Sequence, residues 1–89
     1  MVQAELLITN SIGLHARPCS MFVHLASRYR SEVFVQRDGV EVNGKSILGL
    51  MMLAAEPGSA IVVRAEGPDE EEALAALAEL VEGNFGEGK

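Results

Sequence analysis

Residues 13–18 read Gly13-Leu14-His15-Ala16-Arg17-Pro18. They lie between an alternating apolar run and a helically spaced one, so they read as a loop that turns into a helix. Gly13 permits a tight turn. Pro18 suits the first turn of a helix, where its missing N–H is not needed. This sets His15 at or beside the helix N-cap. The backbone N–H groups of Ala16 and Arg17 then face outward at the helix start, a ready site for an anion. A neutral imidazole keeps one nitrogen lone pair. The stretch therefore suits an imidazole nucleophile that receives a group carrying negative charge. A histidine that merely caps a helix would have the same neighbours, and the six residues alone do not separate the two readings.

Upstream of this loop, Val2, Ala4, Leu6 and Ile8 alternate along a strand with one buried face. Asn10 and Ser11 end it. Downstream, Cys19, Phe22, Val23 and Ala26 recur at helical spacing, so a helix is expected from Ala16 to about Arg28. Arg28 and Arg30 lie at its end, where cations suit the helix dipole. Glu32 to Arg37 reads as a second strand, with Val33 and Val35 on one face and Phe34 on the other. Asp38-Gly39 is a tight-turn signal, and Val40 and Val42 complete a hairpin.

Ser46 is placed to cap a short helix over Ile47 to Leu53. Glu56-Pro57-Gly58-Ser59 is a turn, and Ala60 to Glu66 a fourth strand. Asp69 is expected to cap the last helix, with Glu72 as its capping-box partner. Leu74, Leu77, Ala78, Val81 and Phe85 form that helix's expected buried stripe. The glycine-rich end, Gly83 to Lys89, is expected to fray. The order strand, helix, strand, strand, helix, strand, helix implies an α+β fold with one sheet and helices on one face.

The chain has 89 residues, and one domain over residues 1–89 is expected. Apolar residues make up 48%, enough for a core, and no apolar run is long enough to span a bilayer. No basic region precedes an apolar stretch, so no signal peptide is expected. The single cysteine excludes an internal disulfide and fits a reducing, cytoplasmic setting. Cys19 lies on the apolar stripe of its helix and reads as a small buried hydrophobe.

The net charge is −6. It divides unevenly: residues 1–50 carry +1 and residues 51–89 carry −7, counting Lys and Arg against Asp and Glu. No basic stripe of the kind that binds nucleic acid is present. The half with His15 is the mildly basic one, which would steer it toward acidic protein partners. His24 lies nine residues after His15, on the opposite side of the helix, and reads as a surface residue. No carboxylate or second base accompanies His15 in its loop. That argues against a hydrolase and for a carrier whose partner completes the site.

Gly-Leu-His-Ala-Arg-Pro, together with Lys45-Ser46-Ile47-Leu48-Gly49-Leu50-Met51, closely resembles the two motifs of the histidine-containing phosphocarrier (HPr) family. That family serves the bacterial phosphoenolpyruvate:sugar phosphotransferase system. The resemblance extends over nearly the full length. It implies an open-faced β-sandwich, βαββαβα. Its four-stranded antiparallel sheet has the order 1-4-2-3, with three helices on one face.

It also implies a role for each motif residue. His15 would accept a phosphoryl group on Nδ1 from enzyme I and pass it to a histidine of sugar-specific IIA domains. Arg17 would stabilise the phosphoryl group, and the backbone of Ala16 and Arg17 would bind it. Ile47, Leu48 and Met51 would dock these partners, and the two adjacent methionines suit an adaptable surface. The protein would be a stoichiometric carrier, not a turnover enzyme. It would be a cytoplasmic monomer with no cofactor, no metal, no nucleic acid partner and no membrane insertion.

Ser46 has two readings. By its residues it is an N-cap. By the resemblance it is a site of regulatory phosphorylation by an HPr kinase/phosphorylase, which would bring in a catabolite regulator as a further partner. The alternative function is accordingly a regulatory interaction module, a catabolite-repression co-effector or a nitrogen-branch carrier, acting through Ser46 and the apolar patch. One departure from the family pattern is Ala54-Ala55, where many members have a glycine.

Overall fold

The structure is a computed structural model that describes residues 1–11, 13–53 and 55–86. Its elements are β1 (Val2–Leu7), α1 (Ala16–Ala26), β2 (Glu32–Arg37), β3 (Val40–Asn43), α2 (Ile47–Met52), β4 (Ala60–Glu66) and α3 (Glu70–Glu82). A short 3-10 turn follows at Asn84–Gly86. The strands form one antiparallel sheet in the order β1-β4-β2-β3. Leu6 lies opposite Ile61, and Val33 and Val35 lie opposite Ala65 and Val63. This register gathers the apolar alternates of three strands on one face, where a one-residue slip would expose them all.

The helices cover that face. Phe22 of α1, Leu50 of α2 and Leu77 and Val81 of α3 are buried against Val33, Val35, Ile61 and Val63. Each buried large aliphatic or aromatic side chain contributes about 1.5–3 kcal/mol by leaving water. The opposite face is left uncovered. On it the Arg64 guanidinium stands 4.5 Å over the Phe34 ring and donates to Glu41 at 2.7 Å.

Helix α1 ends at Ala26, two residues short of the expected end at Arg28. The amides of Arg28 and Tyr29 turn to the carbonyls of Leu25 and Ala26, three residues back, which tightens the chain out of the helix. The last helix departs further from the sequence reading. Its fully buried residues are Ala73, Leu77 and Val81, with the expected Leu74 and Ala78 half-buried against the core. Phe85 is buried too, but from the 3-10 turn and not from the helix. Asn84 and Phe85 both adopt left-handed backbone, with φ of 58° and 55°. That conformation costs a residue other than glycine about 1–2 kcal/mol. Burial of the phenyl ring returns about 1.5–3 kcal/mol and holds the turn. Residues 87–89 of the expected frayed end lie outside the described residues.

Asp69 does not close a capping box. It is the N-cap of α3 by position, but its side chain makes no capping bond, and Glu72 is exposed. Its carboxylate instead reaches across to the loop between α1 and β2. Oδ1 accepts from the Ser31 hydroxyl at 2.6 Å and the Ser31 amide at 2.9 Å, and Oδ2 accepts from the Arg30 amide at 2.9 Å. Glu70, the first residue of the helix, accepts from the Gly67 amide at 3.1 Å and so ties the helix to the turn before it. The bonds from Ser31 and Arg30 hold the Asp69 carboxyl at about 2, against an ordinary 3.8.

A depressed carboxylate pKa adds stability that is present above the unfolded-state value and is lost as pH falls through the folded-state value. Asp69→Ala is therefore expected to lower the melting temperature at about pH 7 and to lose its difference from the parent as pH falls toward about 2. Thermal melts followed by circular dichroism across that range would measure this. A gap between the two proteins that stays constant down to the acid limit would contradict it.

Candidate functional site

The turn from β1 into α1 is built on two backbone–backbone bonds and one bond from a side chain. Gly13 sits at φ +70°, a left-handed conformation. A Cβ at this position would come within 2.5 Å of the Ala55 carbonyl oxygen. That same carbonyl accepts from the Leu14 amide at 2.9 Å. The Gly13 carbonyl accepts from the His15 amide at 3.1 Å and from Asn10 Nδ2 at 2.8 Å. The Leu14 side chain is buried in the core, and the next residue, His15, is exposed. The loop is thus fixed on its inner side and presents the imidazole outward.

His15 is the N-cap of α1, with extended backbone, and its side chain makes no capping bond. The imidazole is therefore not spent on holding the helix end. The first intrahelical bond runs from the Cys19 amide to the His15 carbonyl at 2.9 Å. Pro18 has no N–H. The helix start is left with the amides of Ala16 and Arg17, which have no carbonyl partner within the helix. Arg17 is exposed, and it takes no part in the ion pairs found among the described residues. Two amides, a guanidinium and an imidazole thus share one helix end, in an arrangement that can receive an anion.

Cys19 is fully buried one turn into α1, and burial pushes its thiol up to about 11. It therefore remains a protonated packing group. His24 is exposed near the other end of α1, with Nδ1 3.4 Å from the Ser20 hydroxyl. Among the described residues, no three His, Cys, Asp or Glu side chains gather as metal ligands would, and no helix is long and apolar enough to cross a membrane.

Helix α2 packs beside α1. Ser46 caps it as expected, its hydroxyl accepting from the Gly49 amide at 3.0 Å. Gly49 lets the helix lie close to β3, since a Cβ there would stand 3.2 Å from Cβ of Val42. Leu50 is the inward residue. Ile47, Leu48, Met51 and Met52 remain exposed, Leu48 by 75% and Met52 by 77%. Both methionines face solvent, which periodicity did not resolve, and Met52 does so more fully than Met51, at 41%. The chain leaving α2 passes Ala54, outside the described residues, and reaches Ala55, the acceptor for the Leu14 amide. The exposed helix and the histidine loop are therefore joined through one backbone bond.

Several residues of this frame had only a generic sequence signal. Asn10 reads from sequence as the end of a strand, yet it is buried beneath the loop. Arg37 donates to the Leu53 carbonyl at 2.9 Å and so closes the end of α2. Lys45 reaches the Tyr29 carbonyl at 2.9 Å and ties the entry to α2 onto the exit from α1.

Known proteins similar to this chain cover nearly its whole length. The family model of the PTS HPr component phosphorylation site matches residues 2–83. The phosphocarrier protein HPr of Neisseria meningitidis serogroup A is 48% identical over 89 residues, which is all of both chains. The HPr-like protein Crh of Bacillus subtilis is 46% identical over 82 residues, 92% of this chain and 96% of that protein. The crystal structure of HPr-C-His from Thermoanaerobacter tengcongensis superposes with a TM-score of 0.96 at 45% identity and covers 100% of each chain.

Because Gly13 meets a backbone carbonyl, and not a yielding side chain, Gly13→Ala is expected to destabilise the fold by about 1–3 kcal/mol. Urea unfolding would measure it. A loss below about 0.5 kcal/mol would show that the Ala55 carbonyl gives way easily.

Proposed function

Since this chain belongs to the HPr family of phosphocarrier proteins, we propose that His15 is its phosphoryl acceptor and donor. The observation that carries this reading is an exposed imidazole with no capping bond, at a helix start with two unshared amides. In the proposed step a lone pair of the His15 imidazole attacks the phosphorus carried by enzyme I. The new N–P bond forms as the bond from phosphorus to the donor atom breaks, and the donor atom keeps the electron pair. The amides of Ala16 and Arg17 and the Arg17 guanidinium receive the phosphoryl oxygens. The second transfer repeats this chemistry toward a histidine of a IIA domain.

In this reading residues 1–89 act as one monomeric cytoplasmic carrier domain that turns over only as a stoichiometric relay. It needs neither metal nor organic cofactor at the site. Docking falls to the exposed face of α2. Ile47, Leu48 and Met51, with Met52 added, form an apolar surface beside the site of a kind that marks protein contacts.

A regulatory role is the second reading, favoured by the similarity to Crh and by the place of Ser46. A phosphate on Ser46 would meet the helix start without local conflict. It would also set a dianion next to the docking face, which would repel an acidic partner. An HPr kinase/phosphorylase and a catabolite regulator would be the partners of that role.

With purified enzyme I and phosphoenolpyruvate, His15→Ala is expected to take up no acid-labile, base-stable label. Arg17→Ala should retain its fold and transfer more slowly. Label on the His15→Ala variant would overturn the assignment, and an unchanged rate would remove Arg17 from it. For docking, Leu48→Glu is expected to raise the half-saturating concentration by about tenfold, equivalent to ~1.4 kcal/mol, with no change in melting temperature. An unchanged half-saturation would move the contact off α2.

A further inference from the structure

Asn10 is one of two buried polar side chains found among the described residues, and it lies directly under the histidine loop. Its Nδ2 donates to the Gly13 carbonyl at 2.8 Å, and the His15 amide donates to the same oxygen at 3.1 Å. Two donors on one oxygen therefore restrain the plane of the Gly13–Leu14 peptide. The other edge of that peptide is fixed by the Leu14 amide on the Ala55 carbonyl. Gly13 is left-handed, and a glycine peptide has the widest freedom to rotate when a partner is lost. The Asn10 bond is the only side-chain contact in this set.

We propose that Asn10 is a positioning residue for His15. It holds the Gly13 carbonyl in the orientation that fixes the His15 backbone and so aims the imidazole toward an incoming phosphorus. The energetic argument is one of alternatives. A buried carbonyl that loses one of its two donors is left with a lone pair unfilled, and the 3.1 Å bond from the His15 amide then holds its direction alone. Rotation of the 13–14 peptide is the movement open to it, and that movement carries the His15 amide with it. Misplacement of a reacting group by about 1 Å costs on the order of a hundredfold in rate. Asn10 touches neither the imidazole nor the phosphoryl group in this account, so its effect is confined to aim.

This inference rests on His15 being the phosphoryl acceptor, and its test separates the two claims. Asn10→Ala removes the donor. Asn10→Asp keeps the shape while replacing the donating amide with an acceptor. Both would be compared with the parent in single-turnover transfer from phosphorylated enzyme I, well below their melting temperatures. The expected result is a maximal rate lower by roughly ten- to a hundredfold, with the half-saturating concentration within about twofold. A loss of packing alone would lower the folded fraction without this split.

The second readout is the ring carbon–proton signals of His15 in nuclear magnetic resonance spectra. They should shift or broaden in both variants, while those of His24 stay in place. Folded variants with parent rates and parent His15 signals would overturn the proposal. So would losses that follow only the unfolded fraction. If the parent protein takes no phosphoryl group on His15, the functional reading fails instead. The His15 signals then still decide whether Asn10 fixes the loop.

Discussion

The bond from the Leu14 amide to the Ala55 carbonyl is where the two functional elements of this chain meet. It forms only because Gly13 takes a left-handed turn and has no Cβ to strike that same carbonyl. Burial of Leu14 draws the loop onto the core, and the alternation of the backbone then turns His15 outward. A histidine on an untethered loop would pay an ordering cost at every encounter with a partner. Here that cost is met in folding. In the proposed reading the arrangement reconciles two opposed demands, since the imidazole must be open to a partner and yet held in one place.

The rest of the site follows from the local chemistry of the helix start. Pro18 removes one amide from the first turn, the Cys19 amide is satisfied by the His15 carbonyl, and the amides of Ala16 and Arg17 remain. His15, Ala16 and Arg17 are all exposed at this helix start. In the proposed reading that exposure suits an acceptor that meets a complementary surface. The exposed face of α2 provides an apolar area for that meeting beside α1. Its other face is pinned by Leu50 in the core, by Gly49 against β3 and by Arg37 at its end. A helix pinned in this way, if it docks a partner as proposed, can accept contact without shifting the sheet beneath it.

Much of this was legible in the residues. The alternation of Val33 and Val35, the helical stripe from Cys19 to Ala26 and the Ser46 cap are local patterns with local causes, and each element forms where those patterns lie. The sheet order was carried by the family resemblance and not by periodicity. What escaped is what depends on distant partners. Asp69 followed by Glu72 reads as a capping box, but Ser31 and the Arg30 amide outbid the local partner. Phe85 keeps the expected burial while leaving the expected helix, because a left-handed turn at Asn84 and Phe85 carries its ring onto the core. Asn10 carries no signal beyond that of a strand terminator, since its burial depends on how the following loop closes through the Gly13 carbonyl.

The central claim is that this chain carries a phosphoryl group on one particular imidazole. It has two histidines, His15 at the tethered helix start and His24 on open helix surface. Peptide mass mapping under non-acidic conditions, after incubation with enzyme I and phosphoenolpyruvate, distinguishes them directly. The account predicts one phosphoryl group per chain, on the peptide bearing His15 and localised to that residue. Phosphate on His24, or on neither histidine, would contradict it.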